Sequence, residues 1–314
     1  MKGLELAKKY YLEYGVPMIE EQFGEYEHLL AFGLLGSGSE CLGYDDEIST
    51  DHDFEPGFCI FLPDESLIDS KLEFALQRAY SKLPKEFMGY TRCALSPVGG
   101  NRHGVIRISD FFEQKIGSST GELSIYDWFS LPDYTLAEAV GGEIFKDGPG
   151  LLTDIRERLR YMPEDVRLKK LAGNLLIMAQ SGQYNYSRCI SREETGAAQL
   201  SAIEFAKSAM QVIFLLNKRY MPYYKWSFRA LRDLEKFSEL EYSLEYLISS
   251  ENDTKSASLK SDIIEKIASL IIDELKLQNI TEGICGDLEK HAYSVNDKIR
   301  DNDIRNKNIF FAVY

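Results

Sequence analysis

Gly33-Leu34-Leu35-Gly36-Ser37-Gly38-Ser39-Glu40, followed by Asp45-Asp46 and then by Ser49-Thr50-Asp51-His52-Asp53-Phe54, is the most informative stretch of the chain. The apolar run His28–Gly36 has the look of a strand bounded by turn residues. It delivers the backbone to Gly36 and Ser37, where a scarcity of side chains lets phosphate oxygens approach and a hydroxyl adds a hydrogen bond. Downstream, Asp51 and Asp53 stand two apart on what reads as a second extended segment, so both carboxylates face one way and His52 the other. Two hard anionic groups side by side suit Mg²⁺ or Mn²⁺. Phosphoryl and nucleotidyl transfer need metals that neutralise the triphosphate more than they need covalent help, and these parts supply that chemistry.

Other readings of the same residues fail on spacing. No Gly-Lys-Ser or Gly-Lys-Thr follows the glycines, and Cys41 stands where a dinucleotide fingerprint begun at Gly36 needs Gly or Ala. A calcium loop begun at Asp51 would put Pro56 at its obligatory glycine and Leu62 at its bidentate glutamate. The histidines His28, His52, His103 and His291 form no HxxxH or HExxH pair.

Outward from this stretch the first half mixes signals. A helix is expected over Leu4–Phe23, strands at Gly57–Leu62 and Gly104–Ile108, and a helix at Leu67–Leu83 between them. This is an α+β unit on a small mixed sheet, expected over residues 1–150, with Asp147-Gly148-Pro149-Gly150 supplying turn residues at the boundary. Residues 151–314 read as helices only. Pro163 before Glu164 and Asp165 marks a helix start that should run to about Gln180. Ser191 and Glu194 have capping-box spacing. Leu200–Leu216 is apolar nearly all round, as a buried bundle helix is. Leu259, Ile263, Ile267, Ile271 and Leu275 form an amphipathic stripe after a polar loop, Ser249–Ser258.

Composition narrows the class. Of 314 residues, 50 are Asp or Glu against 36 Lys or Arg, a net charge of −14, which disfavours broad nucleic-acid binding because that affinity comes from basic residues releasing counterions. The five scattered cysteines contain no CxxC pair and fit neither a disulfide framework nor a zinc site. Without a signal-peptide apolar core or a run of about 20 apolar residues, a cytoplasmic protein with no membrane partner is expected. Cys41, inside the glycine-rich loop, reads as an inert filler because no adjacent cation argues for a lowered pKa.

The apolar-Gly-Ser turn ahead of Asp-x-Asp resembles the polymerase-β-like nucleotidyltransferase superfamily. More closely, residues 36–54, Leu159-Arg160-Tyr161-x-Pro163-x-Asp165-Val166 and Arg219-Tyr220-x-Pro222-Tyr223-x-Lys225-Trp226 resemble the domain-of-unknown-function family DUF4037. The resemblance implies a nucleotidyltransferase-type mixed sheet followed by a helical bundle domain. It also implies an NTP such as ATP as substrate and a hydroxyl of a small molecule or protein as acceptor. Gly36 and Ser37, with Gly38 and Ser39 beside them, would hold the triphosphate, and Asp51 and Asp53 would bind the metals. Members usually carry a third carboxylate on a neighbouring strand, here Gly104–Ile108, whose middle holds Arg107 instead. Asp110 is the nearest acid and a candidate for that catalytic role, although with Glu113 three residues on it also reads as a helix N-cap. A domain without the third acid would be a nucleotide-binding or regulatory module.

In the second half, Lys218, Arg219, Lys225 and Arg229 cluster near Tyr220, Tyr223, Tyr224 and Trp226. They read equally as nucleotide ligands, Lys225 and Arg219 foremost, and as a helix end with dipole-complementing cations. Asp46 and Ser49 are expected to orient the metal ligands, and Asp45 to serve a turn. Arg156, Arg158 and Arg160, beside the Tyr161-Met162-Pro163 corner, read as a solvated helix face.

Overall fold

The computed structural model describes residues 1–51, 54–92 and 102–313, the side chains of Thr50 and Asp51 excepted. The fold is mixed α+β, with a small mixed sheet and many helices. Six strands occur among the described residues: β1 (Ala31–Leu35), β2 (Cys59–Leu62), β3 (Glu86–Phe87), β4 (Tyr90–Thr91), β5 (Gly104–Arg107) and β6 (Gly142–Asp147). Four of them form one sheet in the order β5-β2-β1-β6, and β3 and β4 make a separate short hairpin. β1 runs antiparallel to β2 and β6, while β2 and β5 are parallel, pairing Cys59 with Gly104 and Leu62 with Arg107. The central strands β1 and β2 are buried throughout, as their uninterrupted apolar composition requires. Gly33 permits the close approach of β6, since a Cβ there would lie 2.6 Å from the Glu143 carbonyl oxygen.

The expected first helix is continuous but not uniform: Gly3–Tyr10 passes through a π-helical turn, Tyr11–Gly15, into Val16–Phe23. Tyr10, Tyr11 and Ile19 on this helix pack with Phe32, Phe58 and Ile60 of the sheet in one apolar core. The helix expected at Leu67–Leu83 spans Ser70–Ser81, capped by the Asp69 carboxylate accepting from the Leu72 N–H.

By contacts, one compact unit is built within Met1–Leu123 and Leu131–Arg160, and another within Ser124–Ser130 and Tyr161–Tyr314. The short helix Ile125–Ser130 thus packs with the helical unit, where Phe129 meets Phe311 at 5.3 Å between ring centroids. That unit is built around the helices Glu164–Met178 and Thr195–Leu216, whose Leu171, Leu175, Phe205 and Ile213 are fully buried.

Three sequence expectations here are corrected. Ser191 does not cap: it ends the helix Ser187–Ser191 with its hydroxyl donating to the Ser187 carbonyl, and the next helix starts at Thr195. The polar loop after Ser249 is shorter than expected, because the Asp253 carboxylate accepts from the Lys255 and Ser256 N–H groups and starts the helix Thr254–Leu277. Its buried face is also shifted, so that Leu259 is 44% exposed while Lys260 is fully buried. Lys260 satisfies its ammonium with the Gln199 and Asn252 side-chain oxygens and the Ser250 carbonyl, which explains how a lysine displaces leucine from the core face.

Burial sets the alkaline behaviour. It pushes the thiols of Cys41 and Cys59 and the phenols of Tyr11 and Tyr186 up to about 12. Each group stays neutral in the fold at a pH where the unfolded chain ionises it, so its contribution is present below the ordinary thiol or phenol value and lost as pH rises above it. Lys169, drawn down to about 8 by burial, acts in the opposite sense between about pH 8 and its ordinary value of 10.5. The acids outnumber it. Unfolding stability is expected to fall by about 2 kcal/mol between roughly pH 9 and 10.5, and a flat denaturant midpoint over that range would contradict the burial of these groups.

Candidate active site

β1 ends at Leu35, and the chain turns through Gly36, Ser37 and Gly38 into the short helix Ser39–Leu42. Gly38 has φ 122°, and a Cβ there would lie 1.8 Å from Arg102 Nη2, so only glycine fits. The turn is the meeting point of two ion pairs. Lys115, from the helix Ile108–Ile116, donates to the Ser37 hydroxyl and pairs with Glu138 at 2.8 Å. The Ser37 hydroxyl in turn donates to Glu138 Oε2 at 2.7 Å. Arg102 donates to the Ser37 carbonyl at 2.8 Å and pairs with the Glu40 carboxylate. The glycine-rich turn therefore has an ammonium on its hydroxyl and a guanidinium on its carbonyl. An anion placed at Ser37 would meet the Lys115 charge and compete with Glu138 for it.

Cys41 is buried against Ala7 and Leu34, and burial raises its thiol far from nucleophilic range, in keeping with a filler. His103, next to Arg102, is packed against Gly57 with its Nδ1 3.2 Å from Glu55 Oε1. Burial lowers its pKa against the opposing pull of Glu55, which favours the neutral imidazole.

The acidic stretch departs from the extended reading at its start. Asp51 closes a 3₁₀ turn, Ile48–Asp51, and β2 begins only at Cys59. The cause is Asp46, whose Oδ1 accepts from the Ile48 and Ser49 N–H groups at 3.1 Å and folds the chain back. Asp46 and Ser49 thus cap that turn. Asp45 is buried, accepting from the Gly3 N–H at 2.7 Å and anchoring the first helix, with Lys2 3.5 Å from its other oxygen. The Asp51 side chain, His52 and Asp53 lie outside the described residues. Among the described residues, no group of three His, Cys, Asp or Glu side chains is placed to hold a metal ion.

Asp110 is not an N-cap. The helix begins two residues earlier, at Ile108 behind Arg107, and Asp110 is exposed in its first turn. Arg107 serves the fold, since its guanidinium donates to the Pro63 and Ile68 carbonyls at 2.9 and 3.0 Å and pairs with Glu73 at 2.6 Å. It fastens the end of β5 to the approach of the Ser70–Ser81 helix.

In the helical unit, Arg219 and Lys225 part company. Arg219 lines a cavity of about 520 Å³ with Tyr161, Arg167, Lys218 and Tyr220. Lys225 is exposed in the helix Tyr224–Arg232, its ammonium 4.9 Å from the Trp226 ring centroid, and Arg229 covers the same ring at 5.3 Å. The arginines before Tyr161 are used locally. Arg156 donates to the Val140, Gly141 and Gly142 carbonyls, Arg158 to the Thr120 carbonyl, and Arg160 pairs with Glu157.

Sequence reasoning misses Lys115, Glu138 and Arg102 at the turn. Ser37 and Glu138 are 101 residues apart, and no local spacing announces such a pair. The faint signal is Lys115 itself, a cation one turn after Phe111 on a helix face that packs at Gly36.

Residues 128–227 match the model of a family described as "Domain of unknown function (DUF4037)". The match includes the Leu159–Val166 and Arg219–Trp226 stretches and does not extend to the Gly36–Phe54 turn. No curated protein and no solved structure matches the chain.

Proposed function

We propose that this chain, which carries the domain of unknown function DUF4037 across residues 128–227, is a nucleotidyltransferase that moves a nucleoside monophosphate from an NTP to a hydroxyl of a small molecule or protein. The observation that supports this is the turn at the end of β1: glycine, serine and glycine with the Lys115 ammonium on the Ser37 hydroxyl, ahead of Asp51-x-Asp53 in the chain. The two aspartates offer hard oxygen donors of the kind magnesium takes, and they are the ligands this reading assigns to it. When bound, the ion neutralises the triphosphate and polarises the phosphorus.

The chain's own residues do the rest. The turn brings backbone close to the phosphates, Lys115 shifts from Glu138 to a phosphate oxygen, and Ser37 donates its hydroxyl once Glu138 has released it. Arg219 and Lys225 are the cations this reading adds from the helical unit. Glu138 then acts as a competitor for the site, and Glu138→Gln is expected to tighten ATP by about fivefold, through removal of a like charge beside the phosphates. Calorimetric titration with ATP checks this, and weaker binding in the variant would remove Lys115 and Ser37 from the site.

Arg107 favours a second reading. It occupies the strand position where a third carboxylate is expected and is committed to Glu73. On that reading the domain binds a nucleotide without transferring it. Release of pyrophosphate dependent on an acceptor would exclude this alternative.

A further inference from the structure

The helical unit contains a second site, independent of the transfer reading. The cavity of about 520 Å³ lies where the helix Thr195–Leu216 ends beside the start of Glu164–Met178, a volume in the range of small-molecule sites. Its charge is unbalanced. Arg167 is 3% exposed and locked, donating through Nε and Nη2 to both Glu164 oxygens at 2.9 and 2.6 Å and through Nη1 to the Leu215 carbonyl at 3.1 Å. Glu164 is thereby neutralised, its carboxyl held below the ordinary value chiefly by the Arg167 hydrogen bonds. Lys218 and Arg219 remain, and among the described residues neither side chain has a hydrogen bond or an ion pair. On a chain of net charge −14, two such cations at one cavity form a local anion sink.

The backbone gives the independent clue. Lys218 has φ 53°, in the left-handed region. Its N–H bonds the Leu215 carbonyl and the Arg219 N–H bonds the Phe214 carbonyl, the closing pattern in which glycine is the favoured residue. A lysine there costs conformational energy that glycine would avoid, and strain of this kind is retained where the side chain has a use. Tyr161 and Tyr220 line the same cavity with Met162 and offer ring faces.

We infer that this cavity binds a small phosphorylated molecule carrying a planar ring, with the phosphate on Lys218 and Arg219 and the ring against Tyr161 or Tyr220. Binding needs no magnesium, because the cations are already present.

The test is calorimetry on the full chain in EDTA with three probes: AMP, adenosine and inorganic phosphate. AMP is expected to bind at least about tenfold more tightly than either of the others. Arg219→Ala should weaken AMP by about tenfold or more. Lys218→Gly should weaken it similarly while leaving the melting temperature unchanged or higher, a combination that a merely structural lysine does not produce. Asp51→Asn with Asp53→Asn should leave AMP affinity unchanged, which separates this site from the transfer site. Absence of AMP binding, equal affinity for adenosine or for phosphate, or wild-type AMP affinity in Arg219→Ala and Lys218→Gly would each overturn the assignment.

Discussion

An Asp51→Asn, Asp53→Asn double variant is expected to lose nucleotidyl transfer by about 100-fold or more, the scale on which removal of a charge-stabilising group acts on a developing phosphoryl charge. Asparagine keeps the size of each side chain and removes the charge, so the metal loses its anionic ligands. The Gly36-Ser37-Gly38 turn and its Lys115 and Arg102 partners are untouched by the change. Weak magnesium-free contact with a triphosphate is therefore expected to persist while turnover disappears. Following label from an α-labelled NTP onto an acceptor separates the two, and undiminished turnover in the variant would take the reaction away from these aspartates.

The second large effect concerns stability. Lys169 is fully buried on the helix Glu164–Met178, where its ammonium donates to the Asn296 side-chain oxygen at 2.8 Å and to the Arg305 and Lys307 carbonyls at 3.1 and 2.6 Å. It thereby fastens the 296–307 segment to the core of the helical unit. Lys169→Ala leaves a void where a long side chain lay and strips a donor from three acceptors, for an expected loss of about 4 kcal/mol. Lys169→Met keeps most of the volume and removes the cost of burying a charge, so its loss should be smaller. Denaturant unfolding of the two variants measures the difference. Equal, small losses would mean that the ammonium does not hold the segment.

Much of the fold is legible because its strands are short apolar runs. Ala31–Leu35, Cys59–Leu62 and Gly104–Arg107 each fall inside a stretch that the apolar pattern marks, and the helix from Gly3 to Phe23 carries its buried residues at helical spacing. β6 escapes that pattern. In Gly142-Glu143-Ile144-Phe145-Lys146-Asp147 charged residues outnumber the two apolar ones, as an edge strand allows, and Glu143 and Lys146 are spent on ion pairs with Lys8 and Glu27. Nor does any local pattern send Ser124–Ser130 to the helical unit, because that placement is decided by Phe129 meeting Phe311 far along the chain. At the site the turn glycines and Ser37 are readable from their backbone demands, whereas Lys115, Glu138 and Arg102 arrive by tertiary packing. The extended conformation expected at Asp51 fails for a local reason, since Asp46 acts there as a turn-capping carboxylate.

On our reading the turn after β1 and the Asp51, Asp53 pair take one magnesium nucleotide together. Calorimetric titration of ATP, with and without magnesium, into the intact chain and the Asp51→Asn, Asp53→Asn variant puts this to the test. Magnesium should strengthen ATP binding to the intact chain by about tenfold or more and should do nothing for the variant. The same magnesium-dependent affinity in both proteins would refute it.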